Sequence, residues 1–285
     1  MKVADLPTMP FPGSVLMCPP DYFDVVDVKN PFMEGQAGSV DKKAAREQWN
    51  ALRKTFEQNG VRVELIPAEK GREDMVFCAN QTLPGLDPRG RRICLLAHMK
   101  HPSRREEVPA FERWFETQGW EVEAVGSPSQ LFEGCGDAIW HPGRRLLWGG
   151  WGQRTDRGIY PAISKRLDVP VLTLELATNR FYHLDTCFCP VDEKTALIHP
   201  NAFAEEGLDL IRSTFEDVIE VDTDEATGLM ACNAAAFFGK VVILQRGAKK
   251  VNAALQKRGF KVVEVETGEF MKSGGSVFCL KMALF

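Results

Sequence analysis

One arrangement of local signals recurs five times along these 285 residues, and a repeat of this kind constrains a fold more tightly than any single element does. Its clearest part is an amphipathic segment that ends in a break and runs into a β-rich stretch. The β-rich stretches are VRVELI (61–66), WEVEAV (120–125), VPVLTL (169–174), VIEV (218–221) and FKVVEV (260–265). Glycine just past a helix adopts the left-handed capping conformation at low cost, and alternating V-x-V patterns favour strands. An apolar run precedes each helix: SVLMC (14–18), RICLLAH (92–98), RLLWGG (145–150), TALIHP (195–200) and KVVILQ (240–245). A short apolar segment closes each copy: MVFCAN (75–80), CGDAIW (135–140), HLDTCFCPV (183–191), MACNAAAF (230–237) and SVFCLKMAL (276–284). The order strand, helix, strand, strand, at roughly fifty-residue spacing, predicts an α/β chain of five pseudo-repeats. Each short segment could pair across a repeat boundary, and the expected unit is ββαβ.

No Ser/Gly/Pro-rich linker interrupts the pattern, which predicts one domain over 1–285. Charged residues make up 26% of the chain and the net charge is −4, with short basic clusters such as Arg104-Arg105 interleaved with acids. Nothing in this balance suggests a nucleic-acid or polyanion partner. No stretch approaches the length of a membrane span, and Asp5 with three prolines stands where a secretory leader needs an apolar core. The eight cysteines are therefore expected as reduced thiols in a cytoplasmic protein. Cys187 and Cys189 are spaced C-x-C with no second pair at zinc spacing, so no metal site is expected. The glycines of Glu133-Gly134-Cys135-Gly136-Asp137 lack the third glycine and following helix of a dinucleotide fingerprint.

The polar residues of the short segments fall at equivalent places in the repeat. Asn80 ends the first, Glu133 and Asp137 open the second, and His183 and Asp185 open the third. Asn233 lies in the fourth, and Cys279 in the fifth after Gly274-Gly275. Repeats arranged about a centre would bring these residues into one pocket. A Cys, a His and several carboxylates are the ingredients of nucleophilic catalysis by an activated thiolate.

FEGCGD (132–137), RFYHLDTCF (180–188), MACN (230–233) and EFMKSGGSVFCLKM (269–282) resemble signatures of the guanidino-modifying, or pentein, superfamily. MCPPDYFDV, Asn30-Pro31-Phe32-Met33 and MVFCANQ (75–81) resemble the same group. The match runs in order through nearly the whole chain. It is similar to the branch containing dimethylarginine dimethylaminohydrolases and amidinotransferases, and most of all to the arginine dihydrolase module of cyanobacteria. The resemblance implies a five-bladed α/β propeller around a central active site, without cofactor or metal, acting on a small guanidino substrate. It implies Cys279 as nucleophile, His183 as general acid/base and Glu133 as the carboxylate supporting both histidine and guanidinium. Asp185 would bind the guanidinium, and Asn80, Asn30, Asp137, Asn233 and Arg180 complete the implied substrate site. These types suit the reaction, because a planar cation with paired N–H donors is held by carboxylates and favours a thiolate beside it.

Two positions bear on the substrate. Asn80 stands where arginine deiminases carry an aspartate and matches the dihydrolase pattern, as does Asn30. His98 stands near the place of an arginine that binds the substrate carboxylate in the relatives, so Arg104 or Arg180 would substitute, or the substrate is not free arginine. The alternatives are a dimethylarginine dimethylaminohydrolase giving citrulline and an alkylamine, an amidinotransferase, and a non-catalytic pentein resembling a ribosome anti-association factor. The last class lacks the Cys/His set. Oligomeric state is not legible in the sequence.

Overall fold

The computed structural model describes residues 2–285. The recurring signals become five three-stranded sheets of one design. The strands are β1 (Ser14–Met17), β2 (Arg62–Leu65), β3 (Thr82–Leu86), β4 (Arg92–Leu96) and β5 (Glu121–Ala124), then β6 (Ala138–Trp140), β7 (Leu147–Trp151) and β8 (Val171–Glu175). They continue as β9 (Phe188–Pro190), β10 (Thr195–Ile198), β11 (Asp217–Glu220), β12 (Ala235–Phe237), β13 (Val241–Gln245), β14 (Lys261–Val265) and β15 (Met282–Leu284). The sheet orders are β3-β4-β5, β6-β7-β8, β9-β10-β11, β12-β13-β14 and β15-β1-β2. In each, the middle strand pairs antiparallel with the first and parallel with the third. The parallel connections run through helices Lys42–Gln58, Val108–Thr117, Tyr160–Leu167, Glu205–Thr214 and Lys249–Lys257, as parallel pairing requires.

Burial follows strand position. The middle strands β1 and β10 are buried throughout, and the outer strands β2 and β5 are exposed at both ends. Continuous apolar runs therefore became middle strands, and alternating V-x-V runs with flanking charges became edges. Charged edges resist pairing with other chains. Four of the five helices end in a left-handed residue: Gly60, Gly119, Gly259 and, without glycine, Asp168 at φ 48°. The helix ending at Thr214 instead runs directly into extended backbone at Phe215. Helix starts are capped from a distance or locally. Asp41 accepts from the amides of Lys43 and Ala44, and the Glu225 carboxylate accepts from those of Lys250 and Val251.

The expected short segments shift by a few residues. Residues 75–80 form turns, and the first strand of that sheet is β3, whose sequence TLPGL carries residues that disfavour strands. Packing decides the matter. A Cβ on Gly85 would stand 2.6 Å from the Trp140 ring, and the Trp140 indole donates to the Pro84 carbonyl at 2.9 Å. Likewise Cys279 precedes β15 in a turn and is not itself in a strand. The polar residues at the repeat positions thus sit in the turns that lead into the first strands. First strands touch one another from sheet to sheet, as β9 does β12 and β15 does β3.

The chain's two ends share one sheet, with Ser14 opposite Leu284 and Leu16 opposite Met282. Leu284 is buried there. Leu284→Ala is expected to cost about 2–4 kcal/mol in urea unfolding, comparable to Leu16→Ala on the partner strand. A cost under about 1 kcal/mol would show that the last strand contributes little to closure.

Candidate active site

The turn before β6 begins the site. Gly134–Asp137 forms one helical turn, and its glycines are dictated by crowding. Gly134 has φ 54°, and a Cβ there would lie 2.6 Å from the backbone oxygens of Asn80 and Thr82. A Cβ on Gly136 would lie 2.3 Å from Asn80 Nδ2 and 3.2 Å from His183 Nδ1. The two glycines let three turns from three sheets meet at contact distance.

Glu133, fully buried, is the hub. Its Oε2 lies 2.6 Å from His183 Nε2 and accepts from Arg154 Nη1 at 3.0 Å, and its Oε1 accepts from the Lys100 amide at 2.9 Å. Burial alone would raise this carboxyl. The Arg154 guanidinium and the histidine hydrogen bond outweigh it and hold the group well below the usual carboxylate range. Asn80 Nδ2 lies 3.4 Å from His183 Nδ1, and Asn80 Oδ1 accepts from Arg104. Arg104 is itself anchored by Glu107 at 3.0 Å.

Cys279 sits across from this pair. Its thiol donates to Asp185 Oδ2 at 3.1 Å, and Asn233 Nδ2 donates to the sulfur at 3.2 Å. Asn233 is a bracket: the same Nδ2 donates to the Asp185 carbonyl, while its Oδ1 accepts from the amides of Ser276 and Cys279. Burial and the neighbouring Asp185 carboxylate push the Cys279 thiol well above its ordinary pKa. Burial pushes Asp185 up to about 7, against the opposing effect of the Cys279 hydrogen bond and Lys281. Cys279 therefore rests as a thiol, and a cation arriving beside it would favour the thiolate.

A small pocket opens onto Cys279. It is lined by Asn30, Asn80, Phe77, Met33, Tyr182 and Ser273, and by the charged groups Lys29, Asp74, Arg104 and Arg154. Three cations and one carboxylate around an apolar wall form a complement to a zwitterion. Lys29 pairs with Asp74 at 3.0 Å. Arg154 stacks on the Tyr182 ring and donates to the Lys29 carbonyl at 2.8 Å.

Cys279, Asn80 and Asn30 line this pocket, and His183, Glu133 and Asp185 stand behind them, joined by hydrogen bonds to Asn80, Arg154 and Cys279 respectively. Asn30 donates to the Ser273 carbonyl and caps the turn at Pro31–Met33. Three expected substrate contacts differ. Asp137 is turned away, accepting from Thr155 Oγ1 at 2.7 Å and the Leu184 amide at 3.0 Å. Asn233 spends its amide on positioning Cys279 and Asp185. Arg180 lies over the Phe32 ring and does not line the pocket. Of the two arginines expected to replace the one missing at His98, Arg104 reaches the pocket. Sequence reasoning missed Arg154, Lys29 and Asp74. Arg154 lies in a Gly-rich turn after Trp151, and nothing in that pattern signals a buried arginine. The eight cysteines are all free and buried, and no group of residues suited to a metal ion occurs among the described residues.

Residues 20–285 match the family model for N,N dimethylarginine dimethylhydrolase, eukaryotic. The chain is 37% identical over 270 residues to a bifunctional arginine dihydrolase/ornithine cyclodeaminase of Synechocystis, covering 94% of this chain and 37% of that protein. It thus spans about two-fifths of that relative's length. It is 34% identical to the N(G),N(G)-dimethylarginine dimethylaminohydrolase of Mycobacterium tuberculosis, over 94% of this chain and 84% of that one. Its structure is similar to the N-terminal domain of a cyanobacterial arginine dihydrolase, a cysteine-to-serine mutant bound to substrate. The TM-score is 0.90 at 36% identity, covering 95% of this chain and 97% of that one. The chain belongs to the dimethylarginine dimethylaminohydrolase family.

Two outcomes follow from the geometry. Gly136→Ala is expected to lower kcat by at least about tenfold, because a methyl group there displaces Asn80 or His183; unchanged kcat would show that the contact relaxes freely. Asp185→Asn is expected to abolish turnover and to raise thermal stability at pH 8. A carboxyl whose folded pKa is raised binds its proton more tightly when folded, so folding stability falls as pH rises from its unfolded value to about 7. The stabilisation by Asn should fade as the pH is lowered through that window, and a Tm gain that persists at pH 4 would contradict this origin.

Proposed function

We propose that this member of the family is a cysteine hydrolase of the guanidino group of L-arginine, in which the five sheets are the blades of one α/β propeller over residues 1–285. The observation that carries the reading is the convergence, from three repeats, of a thiol on Asp185 and a histidine on Glu133 beside a pocket charged for an amino acid. In this reading Arg104 and Arg154 receive the substrate carboxylate, Asp74 receives its α-ammonium, and the guanidinium lies against Asp185 and Cys279. The absence of a long apolar helix among the described residues and eight unpaired buried thiols support a location in the cytoplasm.

The arriving guanidinium offsets the burial that keeps Cys279 protonated. The thiol proton passes to His183, and Sγ bonds to the guanidinium carbon. His183, poised by Glu133, returns the proton to the departing nitrogen, which leaves as ammonia. The resulting thiouronium is attacked by a water that gives its proton to His183, the C–S bond breaks, and citrulline is released. Asn80 favours a second round. A neutral amide, unlike a carboxylate, does not demand a cationic partner, so the uncharged ureido group of citrulline can be hydrolysed further to ornithine, ammonia and carbon dioxide.

The test is incubation with L-arginine and quantification of ornithine, citrulline and ammonia beside a Cys279→Ala control. Ornithine with two ammonia per arginine is expected. Citrulline with one would restrict the enzyme to deimination. Higher kcat/KM on dimethylarginine, with release of dimethylamine, would move it to the alternative activity in the family. No turnover of either, or turnover indifferent to Cys279→Ala, would overturn the reading. Arg104→Met is expected to raise KM for arginine by about tenfold or more.

A further inference from the structure

The active-site pocket lies where the first strands of the sheets begin. A second cavity, with a volume of about 90 Å³, lies towards the ends of those strands. That is room for several small-molecule heavy atoms, since a single water needs only about 10–15 Å³. Its wall is largely apolar, with Phe11, Trp140, Ala236 and Phe285 among its residues. One charged group enters it. Lys281, 5% exposed, lines the cavity with its ammonium 3.4 Å from the centroid of the Phe278 ring.

No ion pair within 4.0 Å involves Lys281 among the described residues, and Asp185 is the one carboxylate acting on it, from farther off. A buried ammonium without an anion is costly, and proteins almost always pair it. The face of Phe278 compensates only in part. Burial pushes Lys281 down to about 8, opposed by Cys135, Cys189, Asp185 and Cys279 around it. An anion entering the cavity would supply the missing partner, and the apolar wall sets the rest of the ligand.

We propose that this cavity is a binding site, separate from the substrate pocket, for a small monocarboxylate whose carboxylate pairs with Lys281 and whose alkyl group packs on Trp140 and Phe285. The wall disfavours a fully hydrated inorganic anion, which would leave its remaining lone pairs unmet. The active site also holds cations, so the test must separate the two locations.

Butyrate binding to the full chain is measured by saturation-transfer NMR, with 1-butanol as the uncharged control. In wild type, butyrate is expected to bind. Lys281→Met should weaken butyrate by about tenfold or more while leaving butanol unaffected. Ala236→Phe, which fills the cavity without touching Lys281, should abolish the binding of both and leave arginine turnover within about twofold. Arg104→Met, in the substrate pocket, should leave butyrate binding unchanged. The proposal is overturned if wild type does not bind butyrate. It is equally overturned if binding survives both Lys281→Met and Ala236→Phe, or is lost in Arg104→Met instead.

Discussion

A fully buried carboxylate that must keep its charge sets the terms for the rest of this site. Taking a carboxylate out of water costs several kcal/mol unless partners replace the water. Glu133 has three: the Arg154 guanidinium, the Lys100 amide and His183. Each comes from a different stretch of chain, so the charge is tolerated only when the loops after β4 and β7 and the turn before β9 are all in place. Arg154 in turn rests on Tyr182 and on the carbonyl of Lys29, which ties the loop after β1 to the same point. The ionised Glu133 then fixes the orientation of the His183 ring through the 2.6 Å contact at Nε2.

The opposite half of the site is built on the reverse principle. Cys279 and Asp185 share a proton in a buried place where neither is readily charged. Asn233 holds both with one amide. The arrangement is costly to keep without a cation nearby. In the proposed reaction a guanidinium would relieve that cost and a neutral molecule would not, so binding energy would be released at the reacting atoms. The carboxyls of Glu133, held down by Arg154, and of Asp185, pushed up by burial, are thus two carboxylate environments pushed apart beside one pocket.

Much of this was legible in the sequence because the repeat places its polar residues at one position per copy. VRVELI, WEVEAV and FKVVEV became outer strands, and the apolar runs became middle strands, since periodicity reports which faces are buried. Cys279, His183, Glu133, Asp185 and Asn80 were located by their motifs. What the sequence concealed has a common cause. TLPGL is a strand because Trp140 from the next sheet packs onto Gly85, and a local pattern cannot register a residue more than fifty positions away. Arg154, Lys29 and Asp74 look like solvated charges, and only their partners, distant in sequence, make them buried. Asn233 and Asp137 belong to motifs beside the pocket, which suits both substrate contact and bracing of the turns; their hydrogen bonds go to Cys279, Asp185, Thr155 and Leu184.

The pairing of the last strand with the first fixes the place of Cys279. Cys279 lies three residues before β15, the strand that completes the first sheet by pairing with β1. Its carbonyl accepts from the Ala79 amide, one residue before Asn80, so the final turn is stitched to the first repeat. The thiol therefore reaches its place only once both ends of the chain have met. An incompletely folded chain carries its cysteines unpaired with Asp185 and without Asn233 beside them, and has no organised nucleophile. Folding and catalytic competence are coupled here through geometry: the contact that closes the fold is the contact that sets the sulfur at the site.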